Sequence, residues 1–536
     1  MTVLRIASFL GENRAINPKL LAAGVGTVSR NHKPGRGDLR PWRQPLNVAT
    51  VPAGRNTIYR MGRDVASDAN YWLSWTGVVH AVRGFDPDDT TERTYYTGDG
   101  TPKVTDNVMG LAAPPYPTTS KPLGVPAPLL APIITAGTPG TEEIGNFFYV
   151  YTFVTNWGWE SAPSPVSNEL ETQGDTPITV TNFSAPPAGN YQIELIRIYR
   201  TEAGSTTSDF FFVAEIPVGD TSYVDDKTHL AEVLPTKTWT TPPDNLRNLH
   251  ALWNGMLAGI SGNSVRFCEA YTPYAWPIQY DVVPPDSTPV ALGVFGQTLL
   301  VLTTGRPVVV AGSGPDAMDQ RMLEMAQACI APRSAVSMGY GVVWASNDGL
   351  CFYGADGARV LTAGIMLRDD WQALKPATII GQMYEGLYFG SYDDGSGRKG
   401  FFIDPSSNGG GMYFMDSGYP AMHFDQLQDQ LYVLEGTSVR RFDAGPLMTT
   451  RFRSSITRLP KPVTSFAIAE VVADAYPCTI RIWADGALVH EQAVNSSTPF
   501  RLPSGFIAQE WQAEIETANP VLSVAIAHAV DELKQV

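Results

Sequence analysis

Four adjacent acidic pairs, Asp88-Asp89, Asp225-Asp226, Asp369-Asp370 and Asp393-Asp394, come closest in type to a hydrolytic site. Glycosidic cleavage needs two carboxylates facing each other across the bond. Neighbours on a strand point to opposite faces, so an adjacent pair does not build that geometry alone. Solvated turns are the simpler reading. The seven histidines (His32, His80, His229, His250, His423, His490 and His528) are scattered without metal-ligand spacing. There is no GxSxG, HExxH or GxxxxGK, and no GxGxxG after a strand. Asp393-Asp394-Gly395-Ser396-Gly397 has part of a calcium loop but not its spaced ligands or closing Glu. Cys268, Cys329, Cys351 and Cys478 form no CxxC, which points away from a disulfide scaffold or zinc site and toward a reducing compartment. No catalytic residue, cofactor or metal is expected. The expected role is binding or assembly.

The side chains suited to a surface contact are of two kinds. Trp157 and Trp159 can stack on a sugar or a protein face, or pack at the end of a sheet sandwich. Arg36, Arg40 and Arg43 belong to a basic N-terminal stretch. Residues 1–63 carry 11 Lys/Arg against 2 Asp/Glu, a balance of +9. The whole chain is at −15, so the remainder carries −24. A basic arm on an acidic body predicts docking onto another subunit or an acidic neighbour. The same acidic body would discourage phosphate from sticking.

The elements that position these residues follow from the pattern of the chain. At 536 residues it exceeds one core, and two to four domains are expected. With 49 Gly, 42 Pro and only 17% charged residues, the composition is that of a turn-rich β protein. Short apolar strands begin near Gly255, Thr298, Gly341, Gly386 and Gln430, with gaps of 43, 43, 45 and 44 residues. A strand–turn–strand unit of that period is the length of one propeller blade.

The expected order is an extended basic arm over 1–63, one blade over 64–111, and a proline-rich linker with an immunoglobulin-like sandwich over 112–245. Further blades over 246–449 and a C-terminal β module over 450–536 complete it. One helix is expected from Ser313 to Ala328, capped by Ser313, with Met318, Met322, Leu323 and Ala326 on one face. The N-terminus has too short an apolar run for a secretory leader, and no stretch reads as a membrane-spanning helix.

Three groups of motifs carry a family resemblance. Thr155-Asn156-Trp157-Gly158-Trp159-Glu160-Ser161-Ala162-Pro163-Ser164-Pro165, Arg197-Ile198-Tyr199-Arg200-Thr201 and Tyr223-Val224-Asp225-Asp226 resemble a fibronectin-type-III-like insert of short-tailed bacteriophage tail proteins. Arg333-Ser334-Ala335-Val336 and Ala345-Ser346-Asn347-Asp348-Gly349-Leu350 are similar to the propeller half of those proteins. Leu459-Pro460-Lys461-Pro462, Ala484-Asp485-Gly486 and Phe500-Arg501-Leu502-Pro503-Ser504-Gly505-Phe506 resemble their C-terminal module. The likeness is to the tail nozzle, or tail tubular protein B, family. It implies a virion tail component assembled in the host cytoplasm, forming a homohexameric ring below an adaptor ring. Such a ring carries tail fibres or spikes, conducts and gates double-stranded DNA during ejection, and inserts into no membrane by itself. The competing expectations are a glycan- or receptor-binding tail propeller and a glycan-cleaving enzyme.

Overall fold

Apolar runs form strands along the whole chain. Among the described residues, helix is confined to Arg368–Ala373, Val530–Leu533 and five single 3-10 turns. The protein is mainly β, made of many small and mostly antiparallel sheets. The computed structural model describes residues 3–62, 67–86, 89–202, 209–226, 232–407, 411–464 and 466–533. No helix among them is long and apolar enough to cross a membrane.

Seven sheets follow one another. Sheet I pairs Thr57–Arg60 with Trp72–Trp75, and sheet II contains His80–Arg83, Thr94–Thr97, Lys103–Thr105 and Lys121–Pro122. Sheet III contains Arg247–Ala251, Leu257–Ser261 and Ser264–Phe267, and sheet IV runs from Pro289–Phe295 through Thr298–Thr303 and Val308–Ala311 to Asp319–Met322. Sheet V is Val336–Ser337, Gly341–Ala345, Leu350–Gly354 and Gly357–Val360. Sheet VI begins Ile380–Tyr384, Leu387–Asp393, Arg398–Ile403 and Tyr413–Met415, and sheet VII is Met422–Asp425, Gln430–Glu435, Ser438–Arg441 and Leu46–Thr50. Their first strands pack in succession from II through VII and on to sheet I. Sheet I returns against sheet II through Met61, Leu73, Trp75, Val79 and Tyr96.

The repeat read from the sequence coincides with the second strands of sheets III to VII. These strands are covered on both faces by neighbouring sheets, so they read as unbroken apolar runs. Gly341–Ala345 is buried throughout. The sheets approach closely: a Cβ at Gly293 would lie 2.4 Å from Val342 on the next sheet.

Three expectations are corrected. The segment 64–111 does not form one unit. Trp72–Trp75 pairs backward with Thr57–Arg60, whereas His80–Arg83 opens sheet II, so the turn between them joins two sheets. Residues 313–328 contain a 3-10 turn at Pro315–Ala317 and then the strand Asp319–Met322, not a helix. That strand is exposed on both faces and is held by its ladder to Val308–Ala311, so it has no alternating pattern to reveal it.

Nor is the N-terminal stretch a free arm. Residues 3–62 are woven into their own chain. Leu4–Ile6 pairs with Val521–Ala527, Val28–Arg30 joins sheet VI to Thr450–Arg453, and Leu46–Thr50 forms the outer strand of sheet VII. Trp42 is fully buried, stacked on Phe402 at 4.7 Å. Several arm cations meet carboxylates of the same chain: Lys33 bonds Glu385 (2.8 Å) and Asp443 (2.7 Å), and Lys19 bonds Glu510 (2.5 Å). Part of the charge asymmetry is thus resolved within one chain.

Between sheets II and III, three small sheets formed by strands from Ile133–Ala136 to Ser222–Asp225 share one core, including Ile134, Tyr151, Ile178 and Ile198. In the C-terminal segment, Ile468–Ala473 and Val521–Ala527 bury a common core with Cys478–Ala484 and Ile507–Thr517. Leu4, Ile6, Phe9 and Leu39 of the N-terminal stretch complete that core.

Candidate functional site

The first strands of six of the seven sheets, all but sheet IV, line a cavity of about 590 Å3. Thr57–Arg60 contributes Tyr59 and Arg60, His80–Arg83 contributes Arg83, and Arg247–Ala251 contributes His250. Gln382, His423 and Asp425 come from sheets VI and VII.

The carboxylate of Asp425 accepts from Arg60 Nη1 at 3.0 Å and from the Leu427 amide at 3.0 Å. Arg60 Nη2 also donates to the Ser67 carbonyl at 2.7 Å. The rings of Tyr59 and His423 lie 5.0 Å apart. Burial drives the His423 pKa down to about 4 against the opposing pull of Asp425. Asn248 Nδ2 donates to His80 Nε2 at 2.9 Å. Burial, with His250, Arg333 and Arg247 nearby, lowers His80 to about 3. Burial also raises Tyr59 to about 12. A general base works best with a pKa near the operating pH. These imidazoles are neutral and weakly basic, and the Asp425 carboxylate is ion-paired. Glu92 adds a second carboxylate to the lining, so the cavity offers hydrogen-bonding and charged surface.

Ser29 and His32 form a pair that sequence reasoning did not single out. Ser29 Oγ lies 3.2 Å from His32 Nδ1, and His32 Nε2 lies 3.2 Å from the Asp38 carbonyl. Both side chains are buried, at 0% and 1% exposure, so no substrate reaches them. The thiols of Cys268, Cys329 and Cys351 are pushed up to about 12 by burial. Among the described residues, no three His, Cys, Asp or Glu side chains are grouped to hold a metal ion.

The tryptophans singled out from the sequence sit together, but not as a surface platform. Trp159 is only 7% exposed and stacks on Tyr274 at 4.8 Å, while Trp157 meets it edge-on at 5.1 Å. Lys121 Nζ lies 3.6 Å from the centre of the Trp157 ring and donates to Asn156 Oδ1 at 2.8 Å. Burial lowers the Lys121 pKa to about 8. The two rings therefore brace the inserted strands against sheet II and the loop after sheet III. Arg36 is exposed. Arg40 pairs with Asp38 at 2.9 Å, and Arg43 donates to the Gly445 carbonyl at 3.2 Å.

The acidic pairs have separate fates. Asp225 is buried, accepting from Tyr149 Oη (2.7 Å) and Arg200 Nη1 (2.8 Å). Asp369 and Asp370 open the helix Arg368–Ala373. Lys399 and Ser396 hold the Asp394 carboxyl well below the usual range. Asp89 bonds the Thr91 and Arg93 amides, while Asp88 and His229 lie outside the described residues.

No protein-family model matches the chain, and no curated protein matches it. Among solved structures with partial likeness is the glutaminyl cyclase of Myxococcus xanthus, 13% identical over 35% of this chain and 82% of that one, with a TM-score of 0.20. A gluconolactonase of Xanthomonas campestris is 12% identical over 51% and 81%, at 0.20. The Dos1 propeller is 12% identical over 73% and 97%, at 0.25. Likeness this low carries no argument about the fold or chemistry of this chain.

Proposed function

We propose that the seven sheets are blades of one β-propeller. In this reading the inserted strands are a fibronectin-III-like sandwich and the C-terminal strands a second sandwich-like module. The chain is then the subunit of a ring-shaped tail nozzle of a short-tailed phage. It acts through contacts between copies and with adaptor and fibre proteins, and gives the genome its path out. The observation that carries this reading is the succession of small sheets whose series returns to its start, with the first strands of six of the seven lining one cavity. Wheels of four-stranded sheets around a central channel are the propeller architecture. The ion-paired Asp425 and neutral His423 favour an assembly role over catalysis at that centre.

Large apolar side chains left exposed outside the wheel, among them Leu129 (86%), Ile144 (63%) and Ile507 (66%), also favour subunit contacts. Mass measurement of the purified full chain, alone and with tail partners, tests the proposal. A six-fold ring is expected. A chain that stays monomeric under every condition, including with adaptor protein, refutes it.

A further inference from the structure

Sheet I is incomplete. Among the described residues the other six sheets have three or more strands, whereas sheet I has two. Along the outer edge of Trp72–Trp75, the Ser74 amide donates to the Tyr116 carbonyl at 3.0 Å, and Leu73 bridges Tyr116. Beyond that single bridge no strand lies on this edge among the described residues.

In its place is a cavity of about 490 Å3. Tyr71, Trp72, Pro115 and Tyr116 form one side, and Val51 and Pro52 beside the outer strand of sheet VII form the other. Ser74, 3% exposed, also borders it. Aromatic and proline walls with open backbone at one edge suit an extended, proline-containing apolar peptide.

The chain carries such a segment elsewhere on its surface. Residues 125–132 read Val-Pro-Ala-Pro-Leu-Leu-Ala-Pro and have no helix or strand. Their backbone is fixed to the inserted strands: Ser184 Oγ accepts from the Leu130 amide at 2.9 Å, and Asn182 Nδ2 donates to the Ala131 carbonyl at 2.8 Å. This holds Leu129 out at 86% exposure and Leu130 at 48%, so neither fills the cavity of its own chain.

We infer that Leu129 and Leu130 of one copy enter the sheet I cavity of the next. This deepens the ring reading and rests on it. Donor and acceptor are different patches of the same chain, so the contact is head-to-tail, the type that closes into rings.

Two variants of the full chain test the contact. Leu129→Asp disables the donor, and Ala69→Trp fills the mouth of the acceptor at an exposed position. Each alone is expected to be monomeric by sedimentation velocity. Mixed, they retain one working donor and one working acceptor and are expected to stop at a dimer. A labelled peptide of residues 124–133 is expected to bind the wild-type chain saturably and to bind Ala69→Trp at least about tenfold more weakly. If the variants assemble as wild type does, or the peptide does not bind, this contact is wrong and the cavity belongs to another occupant, while a ring can still stand. If the wild-type chain never assembles but the peptide binds at the predicted site, the ring reading falls and peptide capture survives.

Discussion

Leu39 and Val521 exchange both of their backbone hydrogen bonds, Leu39 N–H to Val521 O at 2.9 Å and Val521 N–H to Leu39 O at 3.0 Å. The Leu39 side chain is fully buried in the C-terminal core with Phe452, Val471 and Ile526. A residue from the first tenth of the chain therefore belongs to the last folded unit. Leu39→Ala is expected to cost about 2–5 kcal/mol, the range for truncating a buried Leu. Chemical denaturation read by hydrogen exchange in Ile507–Thr517 checks it; an unchanged midpoint would show that the arm is dispensable to this unit.

His32 gives the stability a pH dependence of known sign. Burial lowers its pKa to about 4, partly offset by the Asp38 carbonyl and carboxylate, while an unfolded histidine titrates near 6.5. Between those values the unfolded chain binds the proton and the folded chain does not. Its contribution is therefore neutral above about pH 6.5 and increasingly destabilising below, reaching roughly 3 kcal/mol at pH 4. His32→Gln is expected to flatten this acid limb in urea melts at pH 4 to 7. A parallel slope in both proteins would refute the assignment.

Asp225 supports the inserted strands through Tyr149 and Arg200. Asp225→Asn removes the carboxylate charge facing a guanidinium that is itself only 5% exposed. A loss of about 3–5 kcal/mol is expected, as for breaking a buried ion pair. Hydrogen exchange should show it first in Tyr149–Thr155 and Ile193–Thr201, with sheets IV to VI protected as before.

Arg60 and Asp425 join sheet I to sheet VII at 3.0 Å, with side chains 1% and 7% exposed. Asp425→Asn is expected to cost about 3–5 kcal/mol, because it removes the carboxylate charge that faces the buried Arg60 guanidinium across the two sheets. The double change Arg60→Met with Asp425→Leu should recover most of that loss. A double mutant no more stable than the single would show that the pair does more than neutralise charge.

The rhythm of the five second strands was legible because each is buried on both faces, which leaves a local apolar signature that needs no knowledge of partners. The absence of familiar catalytic motifs was equally local. Trp157 and Trp159 stood out by type, but their burial depends on Tyr274 and Lys121, far from them in the chain. The stretch around Asp319–Met322 reads as helix because Met318 and Met322 have helical spacing, while the edge of Val308–Ala311 that captures the strand leaves no mark in those residues.

Composition and periodicity by themselves determined that this is a turn-rich β protein built from repeated strand pairs. Only the tertiary structure decided that the basic N-terminal stretch is an internal clamp, that sheet I begins before residue 64, and that Arg60 meets Asp425 across 365 positions. Side-chain periodicity reports which faces are buried within a few neighbouring residues. Strand pairing uses backbone groups that every residue carries, so the choice of a distant partner is fixed only when the packed sheets bring the edges together.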